Sequence, residues 1–230
     1  MSAIIPLSNS KYLLVSPKEL DEFNIINKII MNFLIIDGTS KKINFFSHYN
    51  NYSYSKSFES SKNNFEQFSV LLFNFIEKNK ILLKKMNNIF INEGPGNFSG
   101  IRTSIAVSKG ISITRKISLF GFNTFDLCSY NISIHTFVLI QKNEKEFFIK
   151  ECNQNNKEEK NPKIISFQEL GFYKNNKKIF INLDKINKKR IEETCKKNNV
   201  DFKDVNYMNI LPLYEKNLIT KKLIKPLYIS

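Results

Sequence analysis

Short hydrophobic runs separated by polar turns characterise the chain between residues 32 and 130. The first run, residues 32–36, stops at Asp37 and Gly38, which is typical of a buried strand that enters a turn. Similar runs rich in β-branched and aromatic residues predict four further strands, at residues 43–49, 52–58, 89–91 and 117–121. Helical patterns lie between and after the later strands. The order β-β-β-α-β-α-β-α predicts an α/β lobe built around a mixed sheet.

A predicted helix from Ser60 or Ser61 to about Lys80 is apolar on more than one face. The first face carries Phe65, Phe68, Leu72, Phe75 and Ile76. A second face carries Leu71 and Phe73. Because a simple surface helix has a single apolar stripe, this pattern predicts that the helix lies deep in a core or contacts a second partner.

Another helix, predicted at residues 101–115, carries small residues at helical spacing. Two sets of them repeat every four positions, namely Ser104, Ser108 and Ser112, and Ala106 and Gly110. Small side chains at this spacing permit the close approach of another helix.

The second part of the chain predicts a smaller lobe, residues 131–230. Strands are predicted at residues 137–141, 147–152 and 179–183, followed by a lysine-rich helix at about 184–198. The closing residues 226–229 are expected to tie this lobe back to the first.

Residues 1–30 differ from the rest of the chain and are interpreted as an appendage. Ser16 followed by Pro17 predicts the start of a short helix. Since the first core strand begins just after Met31, this methionine is a candidate for the true start of the protein.

Length and composition indicate a soluble globular protein. Its 230 residues are 42% hydrophobic, which is enough for one sizeable core or two small lobes. No stretch is long and apolar enough for a membrane span. Residues 1–15 lack the charged start and cleavage pattern of a secretory signal, so a cytoplasmic location is expected.

Residues suited to metal or redox chemistry are sparse. The three cysteines, Cys128, Cys152 and Cys195, and the two histidines, His48 and His135, are far apart in the sequence. No zinc site, disulfide framework or histidine-based metalloenzyme is therefore predicted, and no cofactor is expected.

The net charge of +14 allows two interpretations. Cationic surfaces bind nucleic acid by releasing counterions from its phosphates. Lysine supplies nearly all of the basic residues, however, and it is spread among abundant Asn, Ile and Phe, which is the composition expected from AT-rich codons. Generalised solvated lysine is the favoured interpretation, and a dedicated nucleic-acid surface is the alternative.

Residues 93–102, with the sequence EGPGNFSGIR, hold three of the seven glycines and raise the question of phosphate binding. A Walker loop requires a lysine directly after its last glycine, and none follows Gly100. The dinucleotide motif fails as well, because Gly94 and Gly96 fit but Ser99 stands at the third glycine position. There remains a turn that places Ser99 at a helix N-terminus, where it caps the helix or leaves free N–H groups for an anion.

The turn Asp37-Gly38-Thr39-Ser40 resembles the first phosphate loop of actin-like ATPases and sugar kinases. In those proteins the aspartate manages magnesium, and glycine and threonine N–H groups face phosphates. A magnesium-dependent kinase would need a second aspartate at a matching strand end, whereas Asp126 is predicted at a helix start.

Four segments, in order along the chain, resemble the bacterial TsaB (YeaZ) family. Residues 32–40, NFLIIDGTS, are similar to the family's opening ILAIDTS, and residues 94–110, which begin GPGNFSGIR, are similar to its GPGSFTGLRIGVATAKGLA. Residues 120–126, FGFNTFD, are similar to GVSTLEA, and residues 225–229, KPLYI, to the closing P-x-Y-L. The resemblance therefore spans the chain from residue 32 onward, and its central segment is long and specific.

The resemblance implies a two-lobed actin-like (ASKHA, ribonuclease-H-like) α/β fold with mixed sheets. It also implies a non-catalytic role in making threonylcarbamoyladenosine beside the anticodon of tRNAs that read ANN codons. In this family TsaB pairs with the TsaD transferase, which carries the metal-binding histidines, and the TsaE ATPase joins the pair. Free TsaB also forms a homodimer. The tRNA is then met indirectly through the complex, and no catalytic or metal-binding residue is expected in this chain.

Partner contacts in the family use first-lobe helices that correspond here to residues 61–79 and 99–115. The resemblance therefore assigns the partner interface to Phe68, Leu71, Leu72, Phe75, Arg102, Ser104, Ile105, Ser108, Ile111 and Ser112. It leaves a vestigial nucleotide or anion loop at Asp37, Thr39, Gly94, Gly96, Ser99 and Gly100.

Two family motifs are altered. The HSE motif is replaced by Asn64-Phe65-Glu66, and the second-lobe DAR motif by Gln141-Lys142-Asn143. Any activity that depends on those positions is in doubt, while a scaffold role is unaffected.

The sequence leaves two other functions open. An actin-like enzyme, either a small-molecule kinase or an ATPase, would use Asp37, Thr39 and residues 94–100. An RNA-binding module would use the lysine surface.

Overall fold

The computed structural model describes residues 3–6, 12–15, 31–130, 132, 135–152, 161–173, 176–181, 183–194, 199–219 and 223–229. The helix predicted at Ser16 and Pro17 lies outside these residues. β1 (Ala3–Pro6) and β2 (Tyr12–Val15) pair antiparallel as a two-stranded sheet, which the sequence pattern did not indicate.

The first large sheet has its described strands in the order β5-β4-β3-β6-β7. They are β3 (Phe33–Asp37), β4 (Lys42–Tyr49), β5 (Tyr52–Glu59), β6 (Asn88–Asn92) and β7 (Ser118–Phe122). β4 is antiparallel to both of its neighbours, whereas β3, β6 and β7 are parallel. Asn50 and Asn51 have φ angles of 50° and 66°, the pair of left-handed residues that a tight turn between β4 and β5 requires. Each strand overlaps one predicted from the hydrophobic runs.

The helices described in this lobe differ from the prediction at their ends. They are α1 (Lys62–Glu66), α2 (Phe68–Lys78), α3 (Phe98–Arg115) and α4 (Thr124–Ser129). The single helix predicted over residues 60–80 is therefore two helices that meet at Gln67. Ser61 caps α1, because its hydroxyl accepts a hydrogen bond from the Asn64 N–H. α3 begins before its predicted start and ends at Arg115, and the next residue, Lys116, has a left-handed φ of 55°.

Both faces of the first sheet are buried. Leu34 and Ile36 point to the face covered by α2 and α3, while Phe33 and Ile35 point to the opposite face. A strand covered on both sides needs apolar residues at every position, which is why residues 33–36 read as a continuous hydrophobic run rather than an alternating one.

The second lobe repeats the topology of the first. Its elements are β8 (Thr136–Gln141), β9 (Glu146–Cys152), β10 (Lys163–Ser166), β11 (Lys177–Ile181), α5 (Lys185–Thr194) and β12 (Val200–Lys203). The strand order is β10-β9-β8-β11-β12, with β9 antiparallel to both neighbours and β8, β11 and β12 parallel. Two lobes with the same central order and the same strand directions form the actin-like, ribonuclease-H-like α/β fold that the sequence predicted.

The chain returns to the first lobe after β12. A short 3₁₀ helix (Tyr207–Asn209) leads into α6 (Ile210–Glu215), and Ile210 and Leu213 pack with Phe33 on the first sheet. The predicted boundary of the second lobe, residues 131–230, therefore needs correction at its end, because α6 supplies apolar side chains to the core of the other lobe.

Candidate functional site

A buried carboxylate stands at the end of β3. Asp37 is 1% exposed, and its oxygens accept four hydrogen bonds. Oδ1 accepts from the N–H and the hydroxyl of Thr39, at 2.8 and 2.7 Å. Oδ2 accepts from the amide of Asn92 and the hydroxyl of Tyr207, both at 2.8 Å. A buried carboxylate is tolerated when donors surround it in this way. We call Asp37, Thr39, Asn92, Thr124 and Tyr207 the polar centre.

Asn92 connects this carboxylate to the glycine loop, residues 93–100. Its side-chain nitrogen donates to Asp37 and, at 2.8 Å, to the hydroxyl of Thr124. Its side-chain oxygen accepts from the N–H of Gly94 at 3.0 Å. Both ends of this fully buried amide are therefore bonded within the chain.

Tyr207 joins the returning chain to β3. Burial and the neighbouring Asp37 carboxylate raise the pKa of Tyr207 well above its usual value. The phenol therefore stays protonated and donates to Asp37 across the physiological pH range.

The glycine loop packs backbone to backbone against the turn after β3. A Cβ atom on Gly96 would lie 1.9 Å from the carbonyl oxygen of Thr39, and one on Gly100 would lie 2.0 Å from that of Gly38. The N–H of Asn97 donates to the same Thr39 carbonyl at 2.7 Å. Any side chain at Gly96 or Gly100 would separate the two segments, so glycine is required by close approach.

The two segments that the sequence suggested as phosphate loops thus face each other. Thr39 turns its N–H toward Asp37, and the Asp37 oxygens are occupied by four donors from the chain itself. Across the described residues, no group of three His, Cys, Asp or Glu side chains is placed to hold a metal ion. At Gly96 and Gly100 the two segments are in backbone contact, and beside this contact Thr39, Gly96 and Asn97 line a cleft.

The C-terminal segment covers the glycine loop from outside. The Lys225 N–H donates to the Glu93 carboxylate at 3.0 Å, and the Leu227 N–H donates to the Glu93 carbonyl at 2.7 Å. Gly94, with a left-handed φ of 124°, lies under this segment, since a Cβ there would lie 3.0 Å from the Leu227 carbonyl. The tie predicted for residues 226–229 is present, and it holds the loop.

Ser99 does not cap α3. The side chain of Asn97 caps the helix by accepting a hydrogen bond from the Gly100 N–H at 2.9 Å. The predicted cap is wrong because the helix begins at Phe98, which places Ser99 inside its first turn. Ser99 is exposed and lines a shallow groove of about 440 Å³ beside Lys62.

Most of the predicted interface residues are buried within the chain itself. Those that pack inward are Phe68, Leu72, Phe75, Ser104, Ile105, Ser108 and Ile111. Leu71 and Ser112 are half-buried, and Arg102 is exposed. The prediction that the inward-facing residues form a surface needs correction. The physical reason is close packing, since the Ser104 hydroxyl lies only 2.6 Å from where a Cβ on Gly38 would stand.

The outward surface of α2 and α3 carries a different set of residues. Val70, Phe73, Ala106, Gly110 and Ile113 are exposed there, and we call them the helix face. Ile113 is 78% exposed, and a Cβ on Gly110 would meet no atom within 4 Å. The small residues that are free to receive another helix are thus Ala106 and Gly110, not the serines.

A cleft of about 310 Å³ lies between the lobes, and its cations are paired. Lys41 donates to Asp184 at 2.6 Å, which links the first lobe to the start of α5. Lys142 pairs with Glu146 at 3.0 Å. Partial burial opposes ionisation of Asp184, but hydrogen bonds from Lys41, the Asn187 N–H and the Gln141 amide together lower the pKa of Asp184 to about 2.

Comparison with known proteins finds a local similarity in sequence and a more extensive similarity in fold. No family model matches the sequence. The tRNA threonylcarbamoyladenosine biosynthesis protein TsaB of Buchnera aphidicola subsp. Schizaphis graminum (strain Sg) is 42% identical over 48 residues, which are 21% of this chain and 23% of that protein. The aligned stretch spans less than a quarter of this relative.

The structural matches cover far more of the chain. A protein with similarity to the peptidase YEAZ from Pseudomonas aeruginosa superposes with a TM-score of 0.62 at 10% identity, over 87% of this chain and all of that one. YeaZ from Pseudomonas aeruginosa superposes with a TM-score of 0.59 at 10% identity, over 86% of this chain and all of that one. The chain therefore has the fold of YeaZ, and a 48-residue stretch of its sequence is similar to a TsaB protein. Among the residues that the structure describes, no helix has the length and apolar character needed to cross a bilayer.

Sequence reasoning missed three members of the polar centre: Asn92, Thr124 and Tyr207. Asn92 carried a signal, because it ends a hydrophobic strand as Asp37 does. Tyr207 carried none, since it lies 170 residues from Asp37 along the chain.

Alanine substitutions at three glycines test the packing of the two loops. Gly96→Ala and Gly100→Ala should each lower the free energy of unfolding by about 3 kcal/mol or more, because the new methyl group overlaps a carbonyl oxygen. Gly110→Ala is the matched control in open space and should raise it by about 0.5–1 kcal/mol. Urea unfolding measures all three, and equal effects at Gly100 and Gly110 would contradict the close approach of the two loops.

Asp184→Asn tests the link between the lobes. Asparagine still caps α5, so the variant removes mainly the charge. The folded-state pKa of about 2 lies below the ordinary 3.8, so ionised Asp184 stabilises the fold above about pH 4, and this contribution is lost as the pH falls through 2. We expect the variant to melt about one to two degrees lower at neutral pH. The difference from the parent protein should vanish near pH 2, and a difference that grows on acidification would contradict this account.

Proposed function

We propose that this protein is a non-catalytic binding subunit in the biosynthesis of threonylcarbamoyladenosine in tRNA. It pairs with a TsaD-type transferase subunit, and a TsaE-type ATPase joins the pair. Free in the cytoplasm, it forms a homodimer through the same surface. The YeaZ-like fold, the four sequence segments that resemble the TsaB (YeaZ) family and the name of the Buchnera relative support the pathway.

The helix face is the observation that carries the proposed partner contact. Val70, Phe73 and Ile113 expose large apolar side chains on the outside of α2 and α3. Exposure of these side chains to water does not stabilise the free chain, and a group of them is typical of a contact surface. Gly110 weakens an exposed helix interior without any internal contact that requires it. Apolar anchors beside a strip of small residues fit a closely packed helix of a partner.

The polar centre supports a scaffold rather than an enzyme. The Asp37 carboxylate is saturated by hydrogen bonds, and the glycine loop is closed by Gly96, Gly100 and the C-terminal segment. The two loops therefore have a structural role, which is to hold α3 in position.

Ile113→Asp tests the helix face, with Ile186→Asp as its matched control. Both isoleucines are exposed on helices, at 78% and 70%, but Ile186 lies on α5 of the second lobe. Co-purification with the transferase subunit of the same organism should weaken at least tenfold for Ile113→Asp, because a charge would be buried at the contact. It should not change for Ile186→Asp. A tight complex with Ile113→Asp would contradict the assignment.

Gly110→Gln provides a version of this test that does not weaken the fold. Glutamine is a better helix former than glycine and has open space here, so the thermal stability should not fall. A longer side chain would still keep a partner helix at a distance. Ser108→Glu is unsuitable, because Ser108 is fully buried and a charge there would disturb the core.

Calorimetry with ATP and Mg²⁺ tests the competing enzyme function. The isolated protein should show no binding heat at micromolar nucleotide, since the Asp37 carboxylate already accepts four hydrogen bonds from the chain and is not free to hold Mg²⁺. Tight binding that is lost in a Thr39→Val variant would favour the actin-like kinase or ATPase instead.

A further inference from the structure

Six exposed cationic side chains gather at one edge of the first lobe. They are Lys78, Lys80, Lys84, Lys85, Arg115 and Lys116, which we call the basic edge. Elsewhere, exposed lysines such as Lys41, Lys142 and Lys177 have acidic partners. Within the described residues, no member of the basic edge forms an ion pair. The six charges are therefore not neutralised by the fold.

The topology explains why these residues meet. α2 and α3 each precede a parallel strand, so both helices end at the edge where β6 and β7 begin. Asn88 of β6 pairs with Ser118 of β7. Lys84 and Lys85 come three to four residues before Asn88, and Arg115 and Lys116 come two to three residues before Ser118. Because adjacent strands lie about 4.8 Å apart, these two pairs of cations lead into neighbouring strands at the same edge of the sheet.

Two members stand where the backbone favours another residue. Lys80 and Lys116 follow the ends of α2 and α3 with left-handed φ angles of 52° and 55°. Glycine or asparagine is the usual choice there, because a Cβ is strained in this conformation. One cation near each helix C-terminus is accounted for by the helix dipole, but six are not. Glu77 is the one acidic residue in residues 77–87 and 112–118.

We propose that the basic edge binds the sugar–phosphate backbone of a folded RNA. Closely spaced lysines with few apolar neighbours match a polyanion, and they contact phosphates without reading sequence. Leu82 is the exposed large hydrophobic residue of this edge, which gives an anionic membrane little to bury. The site lies apart from the polar centre and the cleft. The choice of tRNA as this RNA rests on the proposed function.

A four-site variant removes charge from the edge without straining the fold. It combines Lys80→Gly, Lys84→Gln, Lys85→Gln and Lys116→Gly. The two glycines relieve left-handed backbone, so thermal stability should be kept or raised. The matched control removes four exposed charges from the second lobe with Lys185→Gln, Lys188→Gln, Lys189→Gln and Lys203→Gln.

Fluorescence anisotropy with unmodified tRNA, at several salt concentrations, gives the readout. The full-length protein should bind the tRNA, and the four-site variant should bind about tenfold more weakly or worse. The slope of log affinity against log salt should become shallower by up to about 3.6, since each lost phosphate contact removes about 0.9. The control should keep the parent affinity within about twofold. Equal losses of tRNA affinity in the four-site variant and the control would show that only net charge matters, which would overturn the proposal. An unchanged tRNA affinity in the four-site variant would also overturn it.

Two further arms separate the alternatives. Phosphatidylserine vesicles that bind more tightly than tRNA, with the same dependence on the edge, would overturn the choice of RNA. Assembly of the four-site variant with the transferase subunit reports on the proposed function alone. If the parent protein fails to assemble but its RNA binding depends on the edge, the proposed function falls and the RNA site stands. If the protein assembles normally with the transferase subunit but its RNA binding does not depend on the basic edge, the proposed function stands and the RNA site falls.

Discussion

A carboxylate that water does not reach sets the arrangement of the first lobe. Asp37 needs donors on all sides, and they come from its own turn, from β6 and from the 3₁₀ helix after the second lobe. Because an unpaired buried carboxylate is costly, these segments cannot move independently. Asn92 passes the same constraint to the glycine loop through Gly94. One side chain therefore fixes the relative positions of segments that are far apart in sequence.

This constraint also explains why function is proposed for the outside of the lobe. The turn after β3 and the glycine loop, which the sequence suggested as phosphate loops, are in backbone contact through Gly96 and Gly100. This contact also fixes the first turn of α3 through Asn97. A helix held at its start by such packing presents its outer residues in a defined orientation, which lowers the entropy lost when a partner binds.

The hydrophobic pattern was sufficient to predict the strands, but it was not sufficient to predict which helix residues lie on the surface. β3 and β6 are fully buried, so residues 33–36 and 89–91 are all apolar and the positions of the two strands could be predicted. The small residues of α3 could not be divided into inner and outer sets, because spacing of four fits both sides of a helix. Only packing shows that Ser104 and Ser108 face the sheet while Gly110 faces outward. Tyr207 and α6 were missed because tertiary contact alone brings them to the first lobe.

Charge and apolar surface on α2 and α3 are separated by the geometry of parallel strands. The sheet forces both helices to end at one edge, so their last residues collect there, while their long sides face away from the sheet. Lysines at the ends and apolar side chains along the length can thus be used at the same time by two different molecules. Charges beside an apolar contact would otherwise have to be desolvated when the contact forms. Their placement at the rim avoids this cost and leaves them available to steer an anionic partner.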